Sequence, residues 1–236
     1  MTAEPRPNFH LEDAARKNVG EPNIVVVGID EVGTGAWAGP IVAAAVALDS
    51  SIWWPVYNEL DDSKRLSKTV RKRLEPEIWR IASFVGIGVV TTNEINIVGV
   101  GRAREIALER AYFHVLGQCQ TPLVAVVDGR SMRKLRSVFG RDSIFADRAD
   151  QKSLSVAAAS IVAKVTRDNM MRILDAINPG YDFRNHVGYG TAKHRAALQL
   201  LGPCEIHRLS VRPVQECLAK FVELAASGGI ITTRDE

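Results

Sequence analysis

Cysteine is scarce. Cys119, Cys204 and Cys217 are odd in number and far apart, which excludes a disulfide framework and any metal-binding cysteine spacing. Reduced intracellular thiols are therefore the expectation. Long hydrophobic runs are missing as well, so nothing approaches the length needed to cross a bilayer. The first twenty residues carry Glu4, Glu12 and Asp13 and no apolar stretch, unlike a secretory signal. A soluble, cytoplasmic protein is expected. A large charge excess is also lacking: the net charge is +3, so a nucleic-acid partner has to be argued from where the charges sit. There is no internal repeat and no low-complexity segment. What the chain does have is 236 residues, 46% of them hydrophobic, enough for a full core in one large or two small domains.

The stretch Ile24-Val25-Val26-Val27-Gly28-Ile29-Asp30-Glu31-Val32-Gly33-Thr34-Gly35 organises the reading. Its apolar start reads as a strand buried on both faces. That strand ends on two adjacent carboxylates, which alternation would send to opposite faces. A bend permitted by Gly33 and Gly35 would turn both toward one site. Alone, the pair reads more readily as a solvated strand end before a turn; the stretches downstream overturn that.

Two further apolar runs, Ile41 to Leu48 and Phe84 to Thr91, complete a meander with the first. Leu123 to Val127 is a fourth strand ending on Asp128, and Ser143 to Ala146 a short fifth. Gly101 to Gly117 has helical spacing, and a long helix is expected from Ser153 to Ile177, stopped by Pro179-Gly180. Its first turns are nearly all small, suiting close packing beneath a site. Thr191 to Leu201 and Pro213 to Ala226 are two more helices. The order predicts an α/β fold, a mixed five-stranded sheet flanked by helices with a helical C-terminal extension. The expected division is a tail and short helix over 1–20, a catalytic domain over 21–185, and the extension over 186–236.

Asp30, Glu31, Asp128 and the Asp147/Asp150 pair all fall at ends of strands or starts of helices, where α/β proteins place chemistry. Oxygen ligands without nearby His or Cys suit Mg²⁺ or Mn²⁺ rather than zinc. Converging carboxylates repel unless cations neutralise them. The usual answer is two metals roughly 3.5–4 Å apart serving phosphodiester hydrolysis.

Several stretches resemble the type 2 ribonucleases H, the family of ribonucleases HII and HIII. They are Gly28 to Gly35 with Ala38-Gly39-Pro40, Asp62 to Ser67, Val127-Asp128-Gly129, Ala157 to Asp168, Gly188-Tyr189-Gly190-Thr191 and Ile206-His207-Arg208-Leu209-Ser210. The resemblance implies an RNase H-like fold and endonucleolytic cleavage of RNA in RNA–DNA hybrids, leaving 5′-phosphate and 3′-hydroxyl ends. Roles in DNA replication and repair, including removal of ribonucleotides from DNA, would follow. The family's four metal-binding, catalytic acids fall on Asp30, Glu31, Asp128 and, counting back from the small-residue helix, Asp150, with Asp147 as a solvated neighbour. Gly33, Thr34, Gly35, Lys64 and Tyr189 fall on substrate-binding positions: the glycine loop reads the 2′-hydroxyl and the tyrosine stacks on the deoxyribose after an RNA-to-DNA junction.

The chain departs from the pattern at one place in particular. Ribonuclease HII normally has Gly-Arg-Gly where Gly33-Thr34-Gly35 stands, and Gly-Thr-Gly is the HIII form. Arg148 to Leu154 also looks more like HIII, whereas Asp150, Tyr189 and His207-Arg208 are HII features. HIII also carries an N-terminal substrate-binding domain, for which some twenty residues leave no room. Threonine cannot replace an arginine's bidentate phosphate contact, so weak incision at a single embedded ribonucleotide is expected. Seven basic residues between Lys64 and Arg80 suggest a patch that grips a phosphate backbone. Lys164, Arg167, Lys193 and His194 are candidate additions to it. Pro76 is expected to kink or end the helix carrying the patch, and Trp53, Trp54 and Trp79 to pack. Two other classes compete, a non-catalytic hybrid-binding protein and a DNA nuclease or transposase-like enzyme of the same fold. A monomer is expected.

Overall fold

The computed structural model describes residues 6–21, 23–130 and 133–226; most of the expected N-terminal tail and the last ten residues lie outside them. Five strands form one sheet: β1 (Val25–Val32), β2 (Ile41–Ala47), β3 (Phe84–Val90), β4 (Leu123–Asp128) and β5 (Ile144–Ala146). Among the described residues, eight α-helices accompany it: α1 (His10–Val19), α2 (Lys68–Ile81), α3 (Thr92–Leu116), α4 (Arg133–Phe139), α5 (Leu154–Ile177), α6 (Phe183–His186), α7 (Ala192–Leu201) and α8 (Arg212–Ala226). Hydroxyl side chains start four of the helices. Ser67, Thr91, Ser153 and Thr191 each accept from a backbone N–H of the first turn, and Glu94 completes a capping box with Thr91.

The strand order is β3-β2-β1-β4-β5. The meander expected from the sequence is present, since β1 pairs antiparallel with β2 and β2 with β3. β4 returns parallel to β1, and β5 parallel to β4. One face of the sheet packs Val27, Ile29, Ala43 and Ala45 against Ala103, Ala107, Leu108 and Ala111 of α3. The other packs Ala44 and Val46 against Ala157, Ala158, Ile161 and Val162 of α5.

Missing side chains set the distances between these layers. A Cβ on Gly28 would lie 2.2 Å from the Ser155 carbonyl carbon and the Val156 nitrogen, and one on Gly88 would lie 2.0 Å from the Ala107 carbonyl oxygen. The first turn of α5 thus rests directly on β1. α1 locks that turn in place: buried Glu12 accepts from the Ser153 hydroxyl at 2.8 Å and from the Ser155 N–H at 2.9 Å. A carboxylate at a helix N-terminus meets the positive end of its dipole.

Several local expectations need correction. α3 begins nine residues before Gly101 and is broken at Gly99, whose φ of 78° lies outside helical space; two glycines hid the first turns. α2 does not end at Pro76 but continues to Ile81, because Leu74, Ile78 and Ile81 are anchored in the core. Trp54 packs with Arg80 over its ring, but Trp53 and Trp79 are exposed.

Replacing Gly28 with alanine forces β1 and α5 apart. The expected result is a stability loss of about 3 kcal/mol or failure to fold, on the scale of overpacked cores, read from a urea midpoint. An unchanged midpoint would contradict this account of the layer spacing.

Candidate active site

Strand register brings the first two acids together. β1 and β4 are parallel neighbours with Ile29 opposite Val127, so the next residue of each, Asp30 and Asp128, lies side by side at the carboxyl edge of the sheet. Open α/β sheets bind ligands at that edge. Alternation is kept through the pair of acids, so the expected bend is not needed. Asp30 shares a face with Gly28, the face that α5 covers. Glu31 lies on the α3 face, where its Oε1 accepts from Arg104 Nε at 2.7 Å. Arg104 also donates to the Asp128 carbonyl at 3.1 Å. Asp128 Oδ1 accepts the Ala149 N–H at 2.7 Å, which ties β4 to the short turn carrying Asp150 just before α5.

Electrostatics show how crowded these acids are. Burial first, then the charges of Glu31, Asp128 and Asp150, push the Asp30 carboxyl well above its ordinary range. Burial and the charges of Asp128 and Asp62, together with a hydrogen bond to Asp62, push Asp150 up to about 7. Asp62 moves the other way: although burial opposes it, hydrogen bonds from the Lys64 N–H and Gln151 hold its pKa down. Lys64 is partly desolvated, yet Asp62, Asp30, Asp150 and Asp128 raise its pKa.

An all-oxygen donor set with a deficit of positive charge fits a hard divalent cation. Glu31 Oε2 is buried with no hydrogen-bond partner, which is an acceptor awaiting one. Among the described residues no three acidic, histidine or cysteine side chains enclose an ion as they stand. Arg104 holds Glu31 on one flank and Asp62 holds Asp150 on the other.

The remaining predicted residues lie in and around one cleft of roughly 350 Å³ lined by Asp30, Glu31, Ser63, Lys64, Ser160, Lys164 and Tyr189. The Gly33-Thr34-Gly35 loop follows directly on Val32, which also lines the cleft, and Gly33 has φ 97°. A Cβ there would lie 2.3 Å from Arg167 Nε. Asp147 stands apart from the cluster, exposed and 3.7 Å from Arg130.

Two residues proposed as phosphate contacts are in fact buried. Arg167 donates to the carbonyls of Pro40, Val187 and Ala38, and its guanidinium lies 5.6 Å from the Tyr189 ring centre. Beside it Arg208 donates to the carbonyls of Gly39, Thr34 and Pro40. Two guanidiniums without a carboxylate thus hold the glycine loop in shape. His194 is buried in a relay whose tautomers follow from its donors. The Cys204 N–H donates to His207 Nδ1 at 2.9 Å, so the proton of His207 is on Nε2, 3.1 Å from His194 Nε2. That leaves the His194 proton on Nδ1, where it donates to the Tyr189 carbonyl at 3.0 Å. Part of the basic patch is likewise used internally: Arg71 donates to the carbonyls of Ser63 and Leu66, and Arg73 and Arg80 pair with Glu59 and Glu77. Lys68 and Lys72 remain exposed.

The residues that sequence reasoning missed are Asp62 and Arg104. Asp62 lay in a matched motif of which only Lys64 was singled out. Arg104 gave no local signal, because helical spacing alone does not say which strand end a side chain will meet.

Comparison with known proteins bears on the family and the fold. The family model described as Ribonuclease HII matches residues 27–213. A ribonuclease HII of Listeria monocytogenes serotype 4a is 40% identical over 200 residues, covering 84% of this chain and 72% of the relative. That of Jannaschia sp. is 40% identical over 212 residues, covering 90% and 98%. Among solved structures, Bst-RNase HIII in complex with Mn²⁺ aligns with a TM-score of 0.72 at 21% identity, covering 88% of this chain and 72% of that one, a likeness of fold.

Burial holds the pKa of His194 and of His207 down to about 4, against an ordinary value near 6.5. The unfolded chain takes up these protons as pH falls through that value, whereas the folded chain refuses them until about pH 4. Their contribution to stability is therefore intact above about pH 6.5 and lost as pH falls toward 4, by up to roughly 3 kcal/mol each. Nitrogen NMR near pH 5.5 should show both rings neutral, and a charged ring there would contradict the relay.

Proposed function

The chain belongs to the ribonuclease HII family, whose reaction is cleavage of the RNA strand of RNA–DNA hybrids, and on that footing we propose a divalent-metal-dependent endonuclease that directs water in line at the scissile phosphate, leaving 5′-phosphate and 3′-hydroxyl ends. The observation that carries this reading is the parallel register setting Asp128 beside Asp30, which itself lines a cleft with Lys64 and Tyr189. Asp30, Glu31, Asp128 and Asp150 would hold Mg²⁺ or Mn²⁺. The ion would supply the Lewis acidity that activates water and neutralises the departing oxygen. Mn²⁺ accompanies the HIII neighbour of like fold.

The chain's own residues do the rest. Lys64, drawn toward the acids by their charge, is suited to a non-bridging phosphate oxygen. Gly33, Thr34 and Gly35 present backbone groups to the 2′-hydroxyl that distinguishes RNA from DNA. Tyr189, backed by Arg167 and the histidine relay, offers its ring to the sugar beyond the junction. No side chain need act as a covalent nucleophile. In this proposal the extension over 186–236 serves the domain over 21–185 by holding Tyr189, and the enzyme acts as a monomer on hybrids or RNA-containing duplex DNA in the cytoplasm.

Thr34 supports a narrower reading of substrate choice. Its carbonyl is engaged by Arg208, and its short side chain offers no guanidinium to a phosphate. Continuous hybrids should be cut faster than duplexes containing one ribonucleotide, by about tenfold if one charged contact is lost; a preference for the single ribonucleotide would refute this. A gel assay on RNA–DNA, DNA–DNA and RNA–RNA duplexes with Mg²⁺ or Mn²⁺ should show cleavage of the hybrid alone. Asp128→Asn should abolish that cleavage and leave hybrid binding, whereas surviving activity would mean the acids are wrongly assigned.

A further inference from the structure

Within the cluster, Glu31 is already joined to a cation. Arg104 reaches it from α3, and the two side chains are only 18% and 12% exposed. The guanidinium takes Oε1 through Nε and the Asp128 carbonyl through Nη2, so it bridges the two strands that carry the candidate ligands. Although desolvation opposes it, the hydrogen bond and the charges of Glu31, Asp128 and Asp30 raise the pKa of Arg104, and its charge is permanent. Oε2 of the same carboxylate is buried and unpartnered. Glu31 therefore has one oxygen committed to the protein's own cation and one to offer.

We propose that Arg104 is a positioning residue and built-in counter-ion of the metal site: it holds Glu31 so that only Oε2 faces an incoming divalent ion, and its charge weakens cation binding there. The inference rests on the reading that these acids hold metal. A fixed positive charge in contact with a ligand repels a dication entering the same low-dielectric pocket. The same charge offsets part of the repulsion among the acids when no ion is bound. Arg104 thus lets the site fold without metal at the cost of affinity for it.

Mn²⁺ binding by calorimetry and electron paramagnetic resonance on the full chain, without nucleic acid, tests this. Arg104→Met should tighten Mn²⁺ binding threefold or more, lower the melting temperature of the metal-free protein, and enlarge the upward shift that Mn²⁺ produces. Arg104→Lys, which keeps the charge, should stay within threefold of wild type. Arg110→Met, breaking the Arg110–Glu94 pair on the same helix, should leave Mn²⁺ affinity unchanged. If Arg104→Met does not fold, Arg104→Gln, which can still donate to the Asp128 carbonyl, carries the comparison. A smaller rise, no change or weaker binding in the neutral variant overturns the counter-ion role, as would an equal rise in Arg104→Lys. A wild-type protein that binds no Mn²⁺ overturns the metal reading itself.

Discussion

Repulsion among carboxylates gathered at the open end of β1 and β4 is the constraint to which the surrounding structure responds. Asp30, Glu31, Asp128 and Asp150, with Asp62 behind them, occupy a volume where full ionisation is resisted by burial and by one another. The protein answers with Arg104 on the α3 side, Lys64 on the facing loop and a hydrogen bond between Asp150 and Asp62. Each is a partial remedy. What remains is an appetite for positive charge, in a chain whose overall charge is nearly balanced.

The second electrostatic feature runs the other way. Arg167 and Arg208 are fully buried side by side, with no carboxylate among their partners, and backbone carbonyls from the loop over 34–40 and from Val187 surround them. Each carbonyl contributes a fraction of a charge, and hydrogen bonds to charged donors are the stronger kind. Arg208 pays for this with a pKa lowered to about 10 by desolvation and by Arg167. A loop whose carbonyls converge on two guanidiniums has little freedom, which suits the role proposed for it, distinguishing a ribose from a deoxyribose by one hydroxyl.

Much of this was legible in the residues. Valine-rich strands, hydroxyl caps and the all-small start of α5 led to the sheet, its order of appearance and its long central helix. Two strands ending on acids pointed to where chemistry would sit. The limits were physical. Alternation suggested a bend after Glu31, but α3 and α5 bring partners to both faces, so an unbent strand serves. Arg167 and His194 looked like phosphate contacts because charge and spacing do not reveal burial; their carbonyl partners lie up to 129 positions away. Arg104 was invisible for the same reason, since its partner Glu31 is 73 positions distant.

The parallel pairing of β1 with β4 has a consequence for biosynthesis. The acids it unites are separated by about a hundred residues of β2, α2, β3 and α3, and Asp150 emerges later still, so a ribosome-bound chain carries β1 long before its neighbour exists. Until β4 docks, β2 alone covers one flank of β1. Under the proposed metal-dependent reaction, the full set of acids therefore comes together only after β4 and the turn carrying Asp150 have joined the sheet.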